Sequence, residues 1–304
     1  MEKKNCKERV MPTLLSAYDD DLKRLGERVG KDRSERTLLS LSQGRKHVAS
    51  FLKERMKRDD IPLSELMPQM IHDFCAWLST SRGLKYGTVW LSCQQLKGVV
   101  TRAYQRGMLS WNPFSLFHIA KNIRPREYLT ESELTLLINH HFEQQQLRFA
   151  RDIFVFAALT GLAYIDICEL RPSDVVTIDG ASWIVTRRHK SKVPFQIKLL
   201  KTPHAILCRY LKEGHEKIFG QLRYRTLAFQ VKKVMKEVGI SKHITLHCAR
   251  HSFAVLALNK GVPIESVSRM LGHTNITTTQ IYAKITLQKL DADMTAFERN
   301  LLLP

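Results

Sequence analysis

Acidic residues are what this 304-residue chain is short of: 29 Asp and Glu stand against 48 Lys and Arg, a formal net charge of +19. A surplus of that size exceeds what solubility needs and points to a polyanionic partner. No apolar run reaches the roughly 20 residues that span a bilayer, and Met1-Glu2-Lys3-Lys4 is not followed by the apolar core of a signal peptide. The chain is therefore expected to be soluble and cytoplasmic, with no membrane partner. The six cysteines, Cys6, Cys75, Cys93, Cys168, Cys208 and Cys248, include no CxxC pair, and most fall in apolar runs. That favours reduced core thiols over disulfides or zinc. His247 and His251 lie four apart, as zinc ligands on a helix would, but no Glu adjoins His247 and no nearby carboxylate completes the set. A glycine-rich phosphate loop is also missing, so neither a metal nor a nucleotide cofactor is expected.

What is present, first, is helical periodicity. Residues 1–36 are charged apart from an amphipathic piece around Leu14, Tyr18, Leu22 and Leu25, which is expected as a solvated or loosely docked helix. From Thr37 to Lys57 the positions Leu38, Leu41, Val48, Phe51 and Leu52 keep helical spacing. A second helix runs from about Pro68 to Ser79, and a third follows Gly87, carries Val89, Leu96, Val99, Val100 and Ala103, and stops at Gly107. Trp111-Asn112-Pro113-Phe114 breaks the pattern, and residues 121–126 form a basic, turn-prone connector. The expected organisation is a helical domain over 1–112, a linker over 113–128 and a second domain over 129–304.

The second domain opens on Thr130-Glu131-Ser132-Glu133, a capping box, and continues through an apolar helix that ends at Thr160-Gly161-Leu162. Residues 175–178 and 183–186 read as strands about the turn Asp179-Gly180, and 193–199 as a third strand of period two. Helices are expected over 204–219, 224–238 and 287–302, the last with Leu287, Leu290, Met294 and Phe297 on one stripe. The fold class is mainly α with a small antiparallel β-sheet, in two domains, one helical and one α+β.

Chemistry concentrates in residues 242–284. Thr245 is placed to cap a helix in which His247 and Arg250, three apart, share a face and can converge on one anion near the positive helix end. Asn259-Lys260-Gly261 ends that helix, Pro263 opens another, Leu271-Gly272-His273 ends it in turn, and Tyr282 follows nine residues later. In this order and spacing the pieces resemble the signature half of the tyrosine recombinase (phage integrase) family. The resemblance implies a helical, SAM-like core-binding domain followed by a catalytic domain. It also implies a site-specific recombinase that cuts and rejoins DNA through a 3′-phosphotyrosine, for integration, excision or inversion. Type IB topoisomerase-like relaxation and a catalytically inactive DNA-binding protein are the alternatives.

By that resemblance Tyr282 is the nucleophile, Arg250, His247 and His273 hold the phosphoryl oxygens, and His247 helps to move the proton. Lys190, in the basic loop Arg187-Arg188-His189-Lys190-Ser191-Lys192, matches the catalytic lysine that protonates the leaving 5′ oxygen, with Lys192 as runner-up. Arg187, Arg188 and Lys192, and in the helical domain Arg82, Lys85, Lys97, Arg102 and Arg106, are the expected DNA contacts. The partners implied are double-stranded DNA with inverted-repeat core sites, a homo-tetramer on synapsed DNA, and accessory DNA-bending proteins. The segment before the helical domain is too short for the arm-binding domain of large integrases, which favours simple sites. One departure stands out. The family's first box continues after Thr160-Gly161-Leu162 with an arginine, but Ala163 occupies that place, while Asp166 fits the acidic position. An arginine from outside the box is expected to substitute, Arg151 first and Arg171 second among neighbours that include Arg187 and Arg188.

Overall fold

Among the described residues of the N-terminal part, four α-helices form the framework: α1 (Leu14–Gly26), α2 (Glu35–Phe51), α3 (Pro68–Thr80) and α4 (Tyr86–Gln105). The entry to α1 is closed locally, because Thr13 N–H donates to Ser16 Oγ at 3.0 Å while Ser16 N–H donates to Thr13 Oγ1 at 3.3 Å. Pro68 occupies the first turn of α3, where its missing N–H costs nothing. The apolar faces meet in one core that includes Leu14, Tyr18, Val48, Phe51, Phe74, Trp77, Leu96 and Val100. In this computed structural model the chain is described over residues 12–120, 127–189, 192–282 and 287–300. It divides into two units, Met1–Arg124 and Pro125–Pro304.

Three expectations change in the first unit. Helix α1 is not loosely docked: Leu14, Leu15, Ala17 and Tyr18 are buried, and buried Asp21 binds Arg102 Nε at 2.6 Å and Arg106 Nη2 at 3.2 Å. A buried carboxylate demands such partners. Arg102 and Arg106, expected as DNA contacts, therefore tie α1 to α4. Cys75 and Cys93, expected as reduced thiols, are joined as a disulfide between α3 and α4. Helix packing brings them together without any local spacing motif. Finally, Phe114 and Phe117, assigned to a linker, are buried in the core of the first unit and face each other edge-on at 5.6 Å. Asn112 Oδ1 accepts the Phe114 N–H at 2.9 Å, so the Asn-Pro-Phe break turns the chain back onto α4 rather than releasing it. The connector residues 121–126 lie outside the described residues.

The second unit is organised about α6 (Gln145–Thr160), whose Ile153, Phe154, Val155, Phe156 and Ala158 are buried. It follows α5 (Glu131–Asn139), which is opened by reciprocal bonds between Thr130 and Glu133. After the short α7 (Tyr164–Cys168) come β1 (Val175–Ile178), β2 (Ala181–Arg187) and β3 (Pro194–Lys198), an antiparallel sheet in that order. Asp179 and Gly180 make the β1–β2 turn with positive φ at both positions, as a tight hairpin requires. In β3 the buried Phe195 and Ile197 alternate with exposed neighbours. Helices α8 (Lys201–Tyr210), α9 (Tyr224–Glu237) and α10 (Leu246–Asn259) pack on α6. They are followed by α11 (Ile264–Leu271), α12 (Thr277–Gln280) and α13 (Leu287–Asn300). The helix expected over 204–219 ends at Tyr210, where Leu211 is already extended.

If Phe114 is core, Phe114→Ala lowers stability by about 3 kcal/mol in urea unfolding. A linker aromatic would cost under about 0.5 kcal/mol.

Candidate active site

Two helix ends converge to make the site. Helix α6 stops at Gly161, whose φ of 67° is left-handed, and a Cβ there would come within 2.6 Å of Phe253 and 3.0 Å of Leu271. Only glycine fits, because both the conformation and the space exclude a side chain. Helix α11 stops in the same way at Gly272, with φ 59°. Each end leaves carbonyls without helical partners and concentrates negative partial charge. Those carbonyls receive cations here. Arg250 Nη1 donates to Gly161 O at 2.7 Å, and its Nη2 donates to Leu271 O at 2.6 Å.

Arg250 rises from α10, which begins after Thr245; the Thr245 N–H donates to Cys248 Sγ at 3.3 Å. His247, one turn earlier, is exposed, while Arg250 is only 7% exposed. Next to Arg250 in sequence, buried His251 brings its Nδ1 to 2.7 Å from the Tyr282 Oη. Its ring also meets that of His247 edge-on at 4.5 Å. In the sequence His251 stands out only as half of a possible metal pair; its place beside Tyr282 follows from α10 and the segment after α12 coming together. His273 follows Gly272, donates its backbone N–H to Ser268 O at 3.0 Å, and shares a 2.8 Å hydrogen bond between Nδ1 and the buried Thr279 Oγ1.

Neither arginine expected to replace the one absent at Ala163 reaches this place. Arg151 Nε binds Asp152 at 2.7 Å and its Nη1 binds Ile138 O at 2.8 Å, which holds the α5–α6 loop. The left-handed Gly161 turns the chain at the far end of α6 and does not bring Arg151 back. Arg171 pairs with Glu216 at 2.9 Å, half-exposed, beyond α7. The guanidinium that does enter is Arg188, read from the sequence as a DNA contact but only 5% exposed. It forms an ion pair with Asp166 and reaches toward Gly161 O and Met270 O at 3.4 Å each. Its guanidinium carbon stands 4.2 Å from the centroid of Phe195. Lys190 lies outside the described residues. Arg187 and Lys192 are exposed on the same hairpin, as is Lys85 on the first unit; Lys97 is half-buried. Arg82 pairs with Glu54 at 3.5 Å and lies over Trp77.

The electrostatics follow from this crowding. Burial first, and then Arg188, pull the Arg250 pKa down to about 10. Burial likewise lowers Arg188, against the pull of Asp166. His273 falls to about 4, by burial first and then by Arg250, Arg188 and His247. A neutral imidazole, two guanidiniums and a phenol therefore face one locality with one carboxylate among them. Such a set can bind an anion and present a phenol beside it.

Sequence comparison matches residues 127–289 to the phage integrase family and residues 13–122 to the phage integrase SAM-like domain. A tyrosine recombinase of Thermosipho africanus is 30% identical over 196 residues, 61% of this chain and 68% of that protein. The tyrosine recombinase XerC of Listeria welshimeri is 26% identical over 218 residues, 67% of this chain and 73% of that protein. Among solved structures, the Tn1549 transposon integrase in complex with a circular intermediate DNA superposes with a TM-score of 0.74 at 17% identity, covering 93% of this chain and 99% of that one. This likeness is one of fold.

The half-buried His273 ring makes stability depend on pH. With a folded pKa near 4 against 6.5 for the free ring, its contribution to stability is complete above about pH 6.5 and is lost as the pH falls towards 4. The thermal midpoint is expected to be lower at about pH 5 than at pH 7, with His273→Asn narrowing the gap. An equal gap in both proteins would mean that the ring is not held neutral.

Proposed function

This chain belongs to the phage integrase family of tyrosine recombinases, enzymes that cut and rejoin DNA, and from that membership we propose how its own residues carry out the reaction. The Tyr282 phenol oxygen attacks a DNA phosphorus, and an O–P bond forms as the bond to the 5′ oxygen breaks. The phenol proton leaves through the imidazole in hydrogen-bond reach, His251 Nδ1 at 2.7 Å, with His247, whose ring meets that of His251 at 4.5 Å, helping to move it; Lys190, in the sequence between β2 and β3, protonates the departing 5′ oxygen. Arg250 and His273 donate to the non-bridging oxygens, where charge gathers in the transition state. His251 positions the phenol. The reverse reaction, with the 5′-hydroxyl of another strand as nucleophile, rejoins DNA without a nucleotide. The observation that supports this reading is the meeting of Arg250, His273 and the His251–Tyr282 pair at the ends of α6 and α11.

The +19 charge suits a DNA substrate, with Lys85, Arg187 and Lys192 as exposed phosphate contacts. We further propose inverted-repeat sites, a homo-tetramer that synapses two of them, and a cytoplasmic location. Helix α13 exposes Leu290, Met294 and Phe297, an apolar face fitted to a second copy of the chain. The alanine at position 163 favours a second reading, a DNA-binding protein that no longer cuts.

Two experiments test these assignments. A duplex selected from a random-sequence pool for affinity to the full-length protein, nicked to trap the product, is expected to form a covalent adduct in EDTA. Tyr282→Phe is expected to form none while keeping nearly parental affinity. An adduct surviving in the Phe variant would name another nucleophile, and no adduct from the parental chain would favour the non-cutting reading. Deletion of residues 287–304 is expected to impair recombination of paired sites while sparing binding of a single site. An unfolded truncation would make the stripe part of the core instead.

A further inference from the structure

We propose that Arg188 supplies the second guanidinium of the phosphoryl-binding site, replacing from the β2–β3 hairpin the arginine that the first box lacks at Ala163. The inference rests on the recombinase reading above and adds a catalytic residue to it. Four observations carry it.

The first is convergence. Arg250 and Arg188 approach the same carbonyl, Gly161 O, at 2.7 and 3.4 Å, and then adjacent carbonyls of α11, Leu271 O and Met270 O. Gly161 lies two residues before Ala163, so Arg188 enters where the depleted box ends its helix. The second is the origin of Arg188. Its N–H donates to Val193 O at 2.8 Å and its carbonyl accepts from Lys192 N–H at 2.9 Å, which fixes it where β2 ends and the connection to β3 begins. Asp166, the acidic residue of the same first box, holds it through one oxygen and accepts the His189 N–H at 2.9 Å through the other. The box thus keeps its carboxylate and orients a guanidinium from elsewhere.

The third observation is space. A Cβ on Gly272 would stand 2.8 Å from both Cγ and Nε of Arg188, so the residue before His273 must be glycine for this side chain to pass. The fourth is unused capacity. Arg188 Nε is buried and has no hydrogen-bond partner among the described residues, which costs free energy unless a ligand supplies an acceptor. Two guanidiniums side by side with one carboxylate also leave a net positive charge in a poorly solvated place. A second buried cation beside the Arg188–Asp166 pair lowers what that pair contributes to folding. A phosphodiester relieves both defects, and the extra charge on its non-bridging oxygens in the transition state deepens the gain.

The test separates charge from shape. The selected, nicked duplex is made with the scissile phosphate either native or as a methylphosphonate, which removes the charge of one non-bridging oxygen. The full-length parental protein is compared with Arg188→Ala and with Arg188→Gln/Asp166→Asn, the second so that no carboxylate is left buried alone. For variants whose unfolding midpoint and affinity for the duplex match the parent, adduct formation on the native phosphate is expected to slow by about a hundredfold or more. On the methylphosphonate the deficit is expected to shrink to a few-fold. A parental rate from the double variant on native DNA would overturn the proposal, as would an equal deficit on both substrates, because a structural role is blind to that charge. If the parental protein itself forms no adduct, the recombinase reading fails and Arg188 falls with it. That failure is distinct, since it appears without any substitution.

Discussion

One carbonyl group organises the catalytic unit. Gly161 O, at the end of α6, is approached by the guanidiniums of Arg250 and Arg188, which arrive from elements 89 and 27 residues further along the chain. Like charges at this separation repel strongly in a poorly hydrated interior. They are tolerated because two helix C-termini aim their unpaired carbonyls at them and because Asp166 supplies one full negative charge. The glycines at both helix ends are part of this arrangement. A side chain at 161 would meet Phe253 and Leu271, and one at 272 would meet Arg188. The site therefore depends on two residues that have no side chain at all.

The same crowding sets the protonation of the neighbours. His273 is held neutral by burial and by the cations around it, so it offers either a donor or an acceptor nitrogen without adding to the repulsion. Thr279 fixes the ring through Nδ1, and His251 meets the phenol of Tyr282. In the reaction proposed for this chain, a DNA phosphate entering such a place would bring the missing negative charge. The groups are already oriented, so the reorganisation that water would need has been completed during folding. The cost is a unit that carries buried positive charge when no DNA is present.

In the helical unit, by contrast, several of the cationic side chains already have partners within the unit. Arg102 and Arg106 neutralise the buried Asp21, and Arg82 is shared between Glu54 and the face of Trp77. A count of lysines and arginines predicts a polyanionic partner for the chain as a whole. It does not tell which of them remain available to that partner, because a buried carboxylate elsewhere in the chain claims the nearest guanidinium first.

Local pattern determined a good deal. The capping box at Thr130, the stop at Gly161, the Asp179-Gly180 turn, the period-two strand through Phe195 and Ile197, and the helix from Leu246 to Asn259 are all readable from neighbours a few residues apart. So is the grouping of His247, Arg250, His273 and Tyr282, because a helical turn and two glycine stops place them in order along 36 residues. Tertiary structure decided what depends on distant partners. It seated α1 and Phe114 in a core, paired Cys75 with Cys93, and placed His251 against Tyr282. It also brought Arg188, rather than Arg151 or Arg171, beside Arg250. Nothing within Arg188's own hairpin distinguishes it from Arg187 except the alternation of a strand. Which of the two turns inward is settled by the carboxylate of Asp166 and the carbonyls of α6 and α11, groups that lie 22 to 82 residues away and meet only when the chain is folded.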